Sequence, residues 1–387
     1  MPTSQNSAIL NDGINHPNID DVINEPSFFP EAYVSLETIK SNYASLSSFV
    51  TSAETSAVVK ANAYGHGMAE VGTALLSAGC RTFFVAYLSE GIALRKALGS
   101  EPTIYVFNGI RSTEITTFSE SNLSPVCNQV SDIVSALQLD QSTGFALHFD
   151  TGMNRLGLSQ SDMSEIADHI KARPPNLMMS HLACADLPGH EMNAAQLSRF
   201  SQIKSDFPES KASLSATAGI YLGEDYHHDL VRPGIGLYGG GPARPAGVKL
   251  APALTLTAPI LKVFDVPEGE TIGYAATFQT KRPIRVATVS LGYADGYLRS
   301  AGNYGFAVLD GIPCPVLGRI SMDLTTIDVS DLPTAPRPGD RVEFLGKQAG
   351  LEIQAEAAGS IGYELTSRLG GRRFQLDLCG CTSRERR

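Results

Sequence analysis

From about residue 33 to residue 245, short apolar runs alternate with segments of helical period. The runs are AVVKAN, TFFVAYL, TIYVFNG, LSPVC, GFALHFD, NLMMSHLA, KASLSAT and HDLVRPGIGLY. Between most of them lie segments such as MAEVGTALLSAG, SEGIALRKALG, NQVSDIVSALQL, QSDMSEIADHI and NAAQLSRFSQIKSDF, whose apolar residues return every three or four positions. That spacing gives a helix one buried face. Ser89 and Asn128 stand where N-caps are expected. Repeated strand and helix calls for parallel strands joined by crossover helices. Eight runs fit a (β/α)8 TIM-type barrel. An open doubly wound sheet is the alternative, and the strand count favours the barrel. The pattern changes at GGGPARPAGVKLAP (239–252), which reads as a linker. Beyond it come ALTLTAPILKVFDV, ETIGYAATF, IRVATVSLGYA, FAVLD, LTTIDVS and DRVEFLG, punctuated by Pro-Glu-Gly and Asp-Gly turns, with one helix around LEIQAEAAGSIGYELTSRLG. The expected architecture is α/β: a polar extension over 1–28, a barrel over 29–248, and a mainly antiparallel β domain over 249–387.

Composition narrows the function. A chain of 387 residues exceeds one ordinary core. Its 43% hydrophobic and 18% charged residues describe a soluble globular protein, and a net charge of -10 argues against nucleic acid or anionic lipid as partner. No window holds the roughly 18 apolar residues of a membrane span, and no basic start precedes an apolar leader. A cytoplasmic location is expected. The six cysteines (80, 127, 184, 314, 379 and 381) form no C-x-x-C pair, so free thiols and no metal site are expected.

Candidate chemistry gathers at strand ends. Lys60 closes the first barrel strand, at the end where barrels carry active sites. Partial burial lowers a lysine pKa, and a neutral amine can attack a carbonyl or form a Schiff base with pyridoxal phosphate. The alternative is a lysine whose head reaches out to solvent. GIGLYG (234–239) matches G-x-G-x-x-G but runs into GGPARPAG, which cannot open the helix a dinucleotide site needs. It remains either a phosphate-binding turn or a plain glycine-rich turn. Arg155, His181 and Arg232 follow strands five, six and eight, so a barrel brings them to one mouth.

AVVKANAYGHG (57–67), DTGMNRLG (150–157), SHLACAD (180–186), VRPGIGLYG (231–239), TIGYAATF (271–278), LGYADGY (291–297), GRISMD (318–323) and IGYEL (361–365) together resemble the alanine racemase family over nearly the whole chain after residue 30. The resemblance implies a pyridoxal 5'-phosphate enzyme interconverting L- and D-alanine with two bases. Lys60 would hold the cofactor and then act as one base, with Tyr274 as the other. That tyrosine would come from the second subunit of a head-to-tail homodimer. Arg232 would meet the pyridine nitrogen and His181 the ring. Tyr64, Thr217, Gly234, Ile235 and Tyr363 would hold the phosphate. Arg155 and the backbone N–H of Met322 would bind the substrate carboxylate, and Tyr293, Arg299, Arg319 and Asp323 would line the entry corridor.

The chemistry suits these residue types. Racemisation removes a proton from one face and returns one on the other, which two opposed bases do naturally. An arginine cannot accept a proton, so it would leave the pyridine nitrogen unprotonated and limit side reactions such as transamination. The chain also departs from the family pattern. His148 stands where members often carry a carbamylated lysine, leaving a bound anion such as chloride as a candidate to balance Arg155. Ser213, Ala216 and Thr217 stand where many members have His, Asn and Ser. A broad-specificity or serine racemase is the close alternative. A decarboxylase of similar architecture would place an acid near the pyridine nitrogen, and a small cofactor carrier would lack the β domain.

Overall fold

The computed structural model describes residues 28–369 and 376–379, with no side-chain description at 166–168 or 376–379. The polar extension expected over 1–28 lies outside the described residues apart from Phe28, as do the side chains of Cys379 and Cys381. Seven strands pair in parallel and in chain order: Ala57–Val58, Thr82–Val85, Thr103–Val106, Ser124–Cys127, Ala146–His148, Leu177–Met179 and Lys211–Ser213. The eighth, Leu230–Val231, runs parallel to Glu54–Thr55, just ahead of the first. On its other side Arg232 N donates to Ser215 O at 2.8 Å and Asp229 N to Ala212 O at 3.0 Å. These contacts close the barrel. Its strands read as unbroken apolar runs because both faces are covered, one by the barrel interior and one by helices; Phe83, Phe84 and Val85 are all fully buried.

The helix starts differ from the sequence expectation by one residue or two. The second crossover helix is Leu88–Leu98 with Tyr87 at its N-cap, so Ser89 lies inside it. The fourth starts after Gln129, not Asn128. Asn128 instead donates its side-chain amide to Phe107 O and Val126 O, while its backbone N–H goes to Asp132 Oδ2. At both helices a carboxylate on the third residue, reaching back, caps the end that a serine or asparagine was expected to cap.

The C-terminal sheet is built on one long strand, Leu254–Val266. It pairs antiparallel with Ile284–Val289 and Arg341–Leu345. Its other antiparallel partner is Glu31–Ser35, in register Glu31 with Thr257 and Val34 with Leu254. The first described strand therefore belongs to the second sheet, although it precedes the barrel in the chain. Its alternating burial fits an antiparallel sheet with one wet face. ETIGYAATF is not one strand. It forms a short hairpin, Thr271–Ile272 with Phe278–Gln279, and Tyr274 sits in the turn. Positive φ at Gly273, Ala275 and Ala276 breaks the extension there. The single helix expected near the end is two, Leu351–Ala357 and Gly362–Arg368, divided after Gly359 at φ 64°.

Candidate active site

Lys60 lies two residues beyond the strand Ala57–Val58, after Val59, and the chain then turns in an uncommon way. Ala61, Asn62, Ala63 and Tyr64 all have φ between 52° and 54°, one turn of left-handed helix. Each such residue costs about 1–2 kcal/mol. The turn is held at every step. Ala61 N donates to Glu90 Oε1 at 2.7 Å, and Met68 N to Asn62 Oδ1 at 2.9 Å. His66 Nδ1 lies 3.0 Å from Ala63 O and 2.9 Å from Tyr64 O, so it donates to both. The His66 ring stacks on Tyr238 at 4.4 Å, and Tyr238 OH donates to Val58 O at 3.2 Å. Gly65 ends the turn at φ 84°, where a Cβ would lie 2.2 Å from Thr366 O. That close approach brings the helix Gly362–Arg368, and Tyr363 with it, against the barrel mouth. The rings of Tyr64 and Tyr363 lie 6.1 Å apart.

A cavity of about 590 Å³ opens above this turn. Lys60, Tyr64, Arg155, His181, Thr217, Arg232, Gly234, Ile235 and Tyr363 all line it. Three of these are cationic, and among the described residues no carboxylate lines the cavity, in a chain that is otherwise strongly acidic. Such a lining suits an anionic ligand. The Lys60 ammonium lies 5.6 Å from the Phe107 ring centre and has no hydrogen-bond or ion-pair partner among the described residues. Burial, then Arg155, pull its pKa down, and Glu90 opposes them. A lysine that only reaches to solvent would not be so placed.

Arg232 is 2% exposed, yet among the described residues its guanidinium meets no carboxylate. Nη1 donates to Ser213 Oγ, and Nη2 to Ser180 O at 2.6 Å and Leu214 O at 3.3 Å. The short serine at 213 thus supports the arginine directly. Burial draws the Arg232 pKa down to about 9, which leaves it cationic at neutral pH. His181 is held neutral by burial and then by Arg232 and Arg155, its pKa lowered to about 3. At the far end of the cavity the Thr217 hydroxyl accepts from Gly234 N at 3.1 Å and Gly236 N at 3.2 Å. A Cβ at Gly234 would lie 2.4 Å from Tyr64 OH, so only glycine leaves the backbone open beside both hydroxyls. A lone amine, a buried cation, a stackable imidazole and a hydroxyl-and-glycine cradle fit pyridoxal phosphate. Its aldehyde, pyridine ring and phosphate need those groups in turn.

Tyr274, Tyr293, Arg299, Arg319, Met322 and Asp323 do not line this cavity. They form a second cluster on the C-terminal domain. A Cβ at Gly273 would lie 3.3 Å from Arg319 N, and Gly302 packs against both Arg319 and Arg299. Tyr293 N donates to Ser321 O at 3.1 Å, and Ala294 N to Met322 O at 2.8 Å. Tyr274 is 69% exposed. A larger groove of about 720 Å³, on the barrel flank between Gln160–Ala172 and Glu191–Ser205, contains none of the expected site residues.

Two residues near the cavity hold partners that the sequence does not mark. His148 Nδ1 lies 2.7 Å from Asn128 Oδ1, which fixes Nδ1 as the donor and turns Nε2 the other way. Burial, then Arg232 and Arg155, lower its pKa to about 4, so it supplies no charge against either arginine. Glu90 is the other, and in the sequence it looks like one more polar helix residue.

The chain matches two family models in succession, the N-terminal domain of alanine racemase over residues 34–242 and the C-terminal domain over residues 253–376. It is 42% identical over 340 residues to an alanine racemase of Ruegeria sp. (strain TM1040), covering 88% of this chain and 96% of the relative. It is 39% identical over 350 residues to a catabolic alanine racemase of Agrobacterium fabrum, covering 88% and 89%. Among solved structures, alanine racemase from Bartonella henselae with covalently bound pyridoxal phosphate superposes with a TM-score of 0.83 at 34% identity, over 89% of this chain and 99% of that one. The biosynthetic enzyme of Pseudomonas aeruginosa gives 0.84 at 35%, over 90% and 99%. With both domains matched in order and the barrel mouth shaped as that chemistry requires, the chain belongs to the alanine racemase family.

Proposed function

We propose that the protein is a pyridoxal 5'-phosphate-dependent alanine racemase in which Lys60 and Tyr274 are the two bases. The observation that carries this reading is the cavity itself: among the described residues its mouth holds an amine with no hydrogen-bond or ion-pair partner, its floor a buried arginine, and its lining no carboxylate. Lys60 would hold the cofactor through its ε-amine, Arg232 would meet the ring nitrogen and His181 the ring face. Tyr64, Thr217, Gly234, Ile235 and Tyr363 would hold the phosphate. When bound, the cofactor supplies the electron sink that acidifies the substrate α-proton.

The chain's own groups do the rest. Lys60 Nζ takes or returns the α-proton on one face, and Tyr274 Oη does so on the other. The lowered pKa of Lys60 keeps a larger share of its amine neutral and able to accept that proton. Arg155 and the Met322 backbone N–H orient the substrate carboxylate, and Tyr293, Arg299, Arg319 and Asp323 line the corridor. Tyr274 and its cluster lie away from the cavity of their own chain, which favours a head-to-tail homodimer that brings Tyr274 of one subunit to Lys60 of the other. No helix among the described residues is long and apolar enough to cross a membrane, in keeping with a cytoplasmic enzyme.

A chiral assay tests the reading. Purified protein with pyridoxal phosphate is incubated with L-alanine, beside L-serine and L-lysine, and the enantiomers are separated. D-alanine should accumulate well above the other D-products. Comparable D-serine would point to a broader racemase. Amine and carbon dioxide in place of any D-product would overturn the reaction assignment.

A further inference from the structure

Glu90 is the third residue of the helix Leu88–Leu98, and its Oε2 accepts from Ala86 N at 2.8 Å and Tyr87 N at 3.2 Å. A helix cap needs only that oxygen. The second, Oε1, reaches 29 residues back and accepts from Ala61 N at 2.7 Å. That N–H belongs to the residue immediately after Lys60, and Ala61 is the first of the four left-handed residues. One carboxylate thus ties the end of the first barrel strand to the end of the second at the mouth of the site.

We infer that Glu90 is a positioning residue for the reaction: Oε1 pins the first residue of the strained turn that follows Lys60, while Oε2 anchors the same carboxylate to the end of the second barrel strand. This inference rests on the reading of Lys60 as the cofactor-binding base. The other ionisable groups around the cavity are Arg155, Arg232, His148, His181, Tyr64 and Tyr363. Burial and Arg155 favour the neutral amine, and Glu90 is the carboxylate that opposes them. A rigid mount matters because a displacement of about 1 Å in a reacting group can cost on the order of a hundredfold in rate.

Charge and geometry separate in two variants. Glu90→Gln keeps the length but loses the charge and one acceptor. Glu90→Asp keeps the charge but is too short to span both strand ends. Glu114→Gln is the control for simple capping, because Glu114 accepts from Arg111 N at 2.9 Å and does not line the cavity. The full-length cofactor-free proteins are mixed with pyridoxal phosphate, and the rate of capture is followed by absorbance across pH; kcat and KM are then measured on the holoenzymes. Capture by the unmodified protein should rise with pH as Lys60 loses its proton. Without the Glu90 charge the ammonium is less favoured, so the Glu90→Gln midpoint should move down in pH. Its kcat should fall roughly tenfold or more, with KM changing much less. Glu90→Asp should keep the midpoint and lose kcat, and Glu114→Gln should keep both. A Glu90→Gln protein that matches Glu114→Gln in midpoint and kcat overturns the inference. If Glu90→Gln does not fold, an unchanged kcat in Glu90→Asp does the same. Undiminished capture by Lys60→Ala would instead overturn the reading of Lys60.

Discussion

Arg232 is a buried cation whose guanidinium, among the described residues, donates only to neutral oxygens. It remains charged at neutral pH and can only donate hydrogen bonds, never accept a proton, so a ring nitrogen against it stays unprotonated. Replacing it by an acid should reverse that preference. Folded Arg232→Glu protein should convert L-alanine to pyruvate in step with loss of the cofactor aldehyde absorbance, and the unmodified enzyme should do so far more slowly. Pyruvate at the unmodified rate from a folded variant would refute the argument. A neutral His148 likewise leaves Arg155 without a balancing charge from that side. If a chloride ion supplies it, KM for alanine should rise severalfold when chloride is exchanged for a large, weakly binding anion; an unchanged KM rules chloride out. Lys60, Arg155, His181 and Arg232 were legible because each ends or follows an apolar run, and a barrel brings strand ends together. The partners that tune them were not legible. Asn128 lies 20 residues from His148, and Glu90 lies 29 from Ala61. No local spacing marks either pair.

At the scale of elements, the left-handed turn after Lys60 fixes the backbone at the mouth of the cavity. Nothing in Ala-Asn-Ala-Tyr demands positive φ except, weakly, the asparagine. The conformation is imposed from outside by Glu90, His66 and the packing of Gly65 on Thr366. Only the glycines flagged it beforehand. Gly65→Ala meets two penalties, a positive φ and a Cβ 2.2 Å from a backbone oxygen. It should destabilise the fold by about 2–4 kcal/mol and weaken cofactor retention together, because Tyr363 is carried on the displaced helix. Urea midpoints and cofactor release on dilution measure the two effects. The Tyr274 turn is a similar case: the apolar content of ETIGYAATF reads as a strand, whereas its glycine and two left-handed alanines fold it into an exposed tip.

Across the whole molecule, burial leaves a signature in pH and in assembly. His66, His148 and His181 have pKa values lowered to about 4, 4 and 3 from the usual 6.5. Below pH 6.5 the unfolded chain therefore binds protons that the folded chain refuses, so stability is full above that pH and is lost as pH falls towards 4. Near pH 5 the slope from these three groups should approach at most about 4 kcal/mol per pH unit. His148→Asn should remove about a third of it in urea titrations of the cofactor-free protein; an unaltered slope would mean that His148 is not held neutral. Assembly gives the sharper test. If Tyr274 serves the Lys60 of its partner, a mixed dimer of Lys60→Ala and Tyr274→Phe chains carries both lesions in one site and none in the other. Each variant alone should be nearly inactive. Mixing them in equal amounts under conditions that exchange subunits should restore about a quarter of the unmodified activity, since about half the dimers are mixed and each has one intact site. If both bases came from one chain, every site in the mixture would keep one lesion and no activity would return.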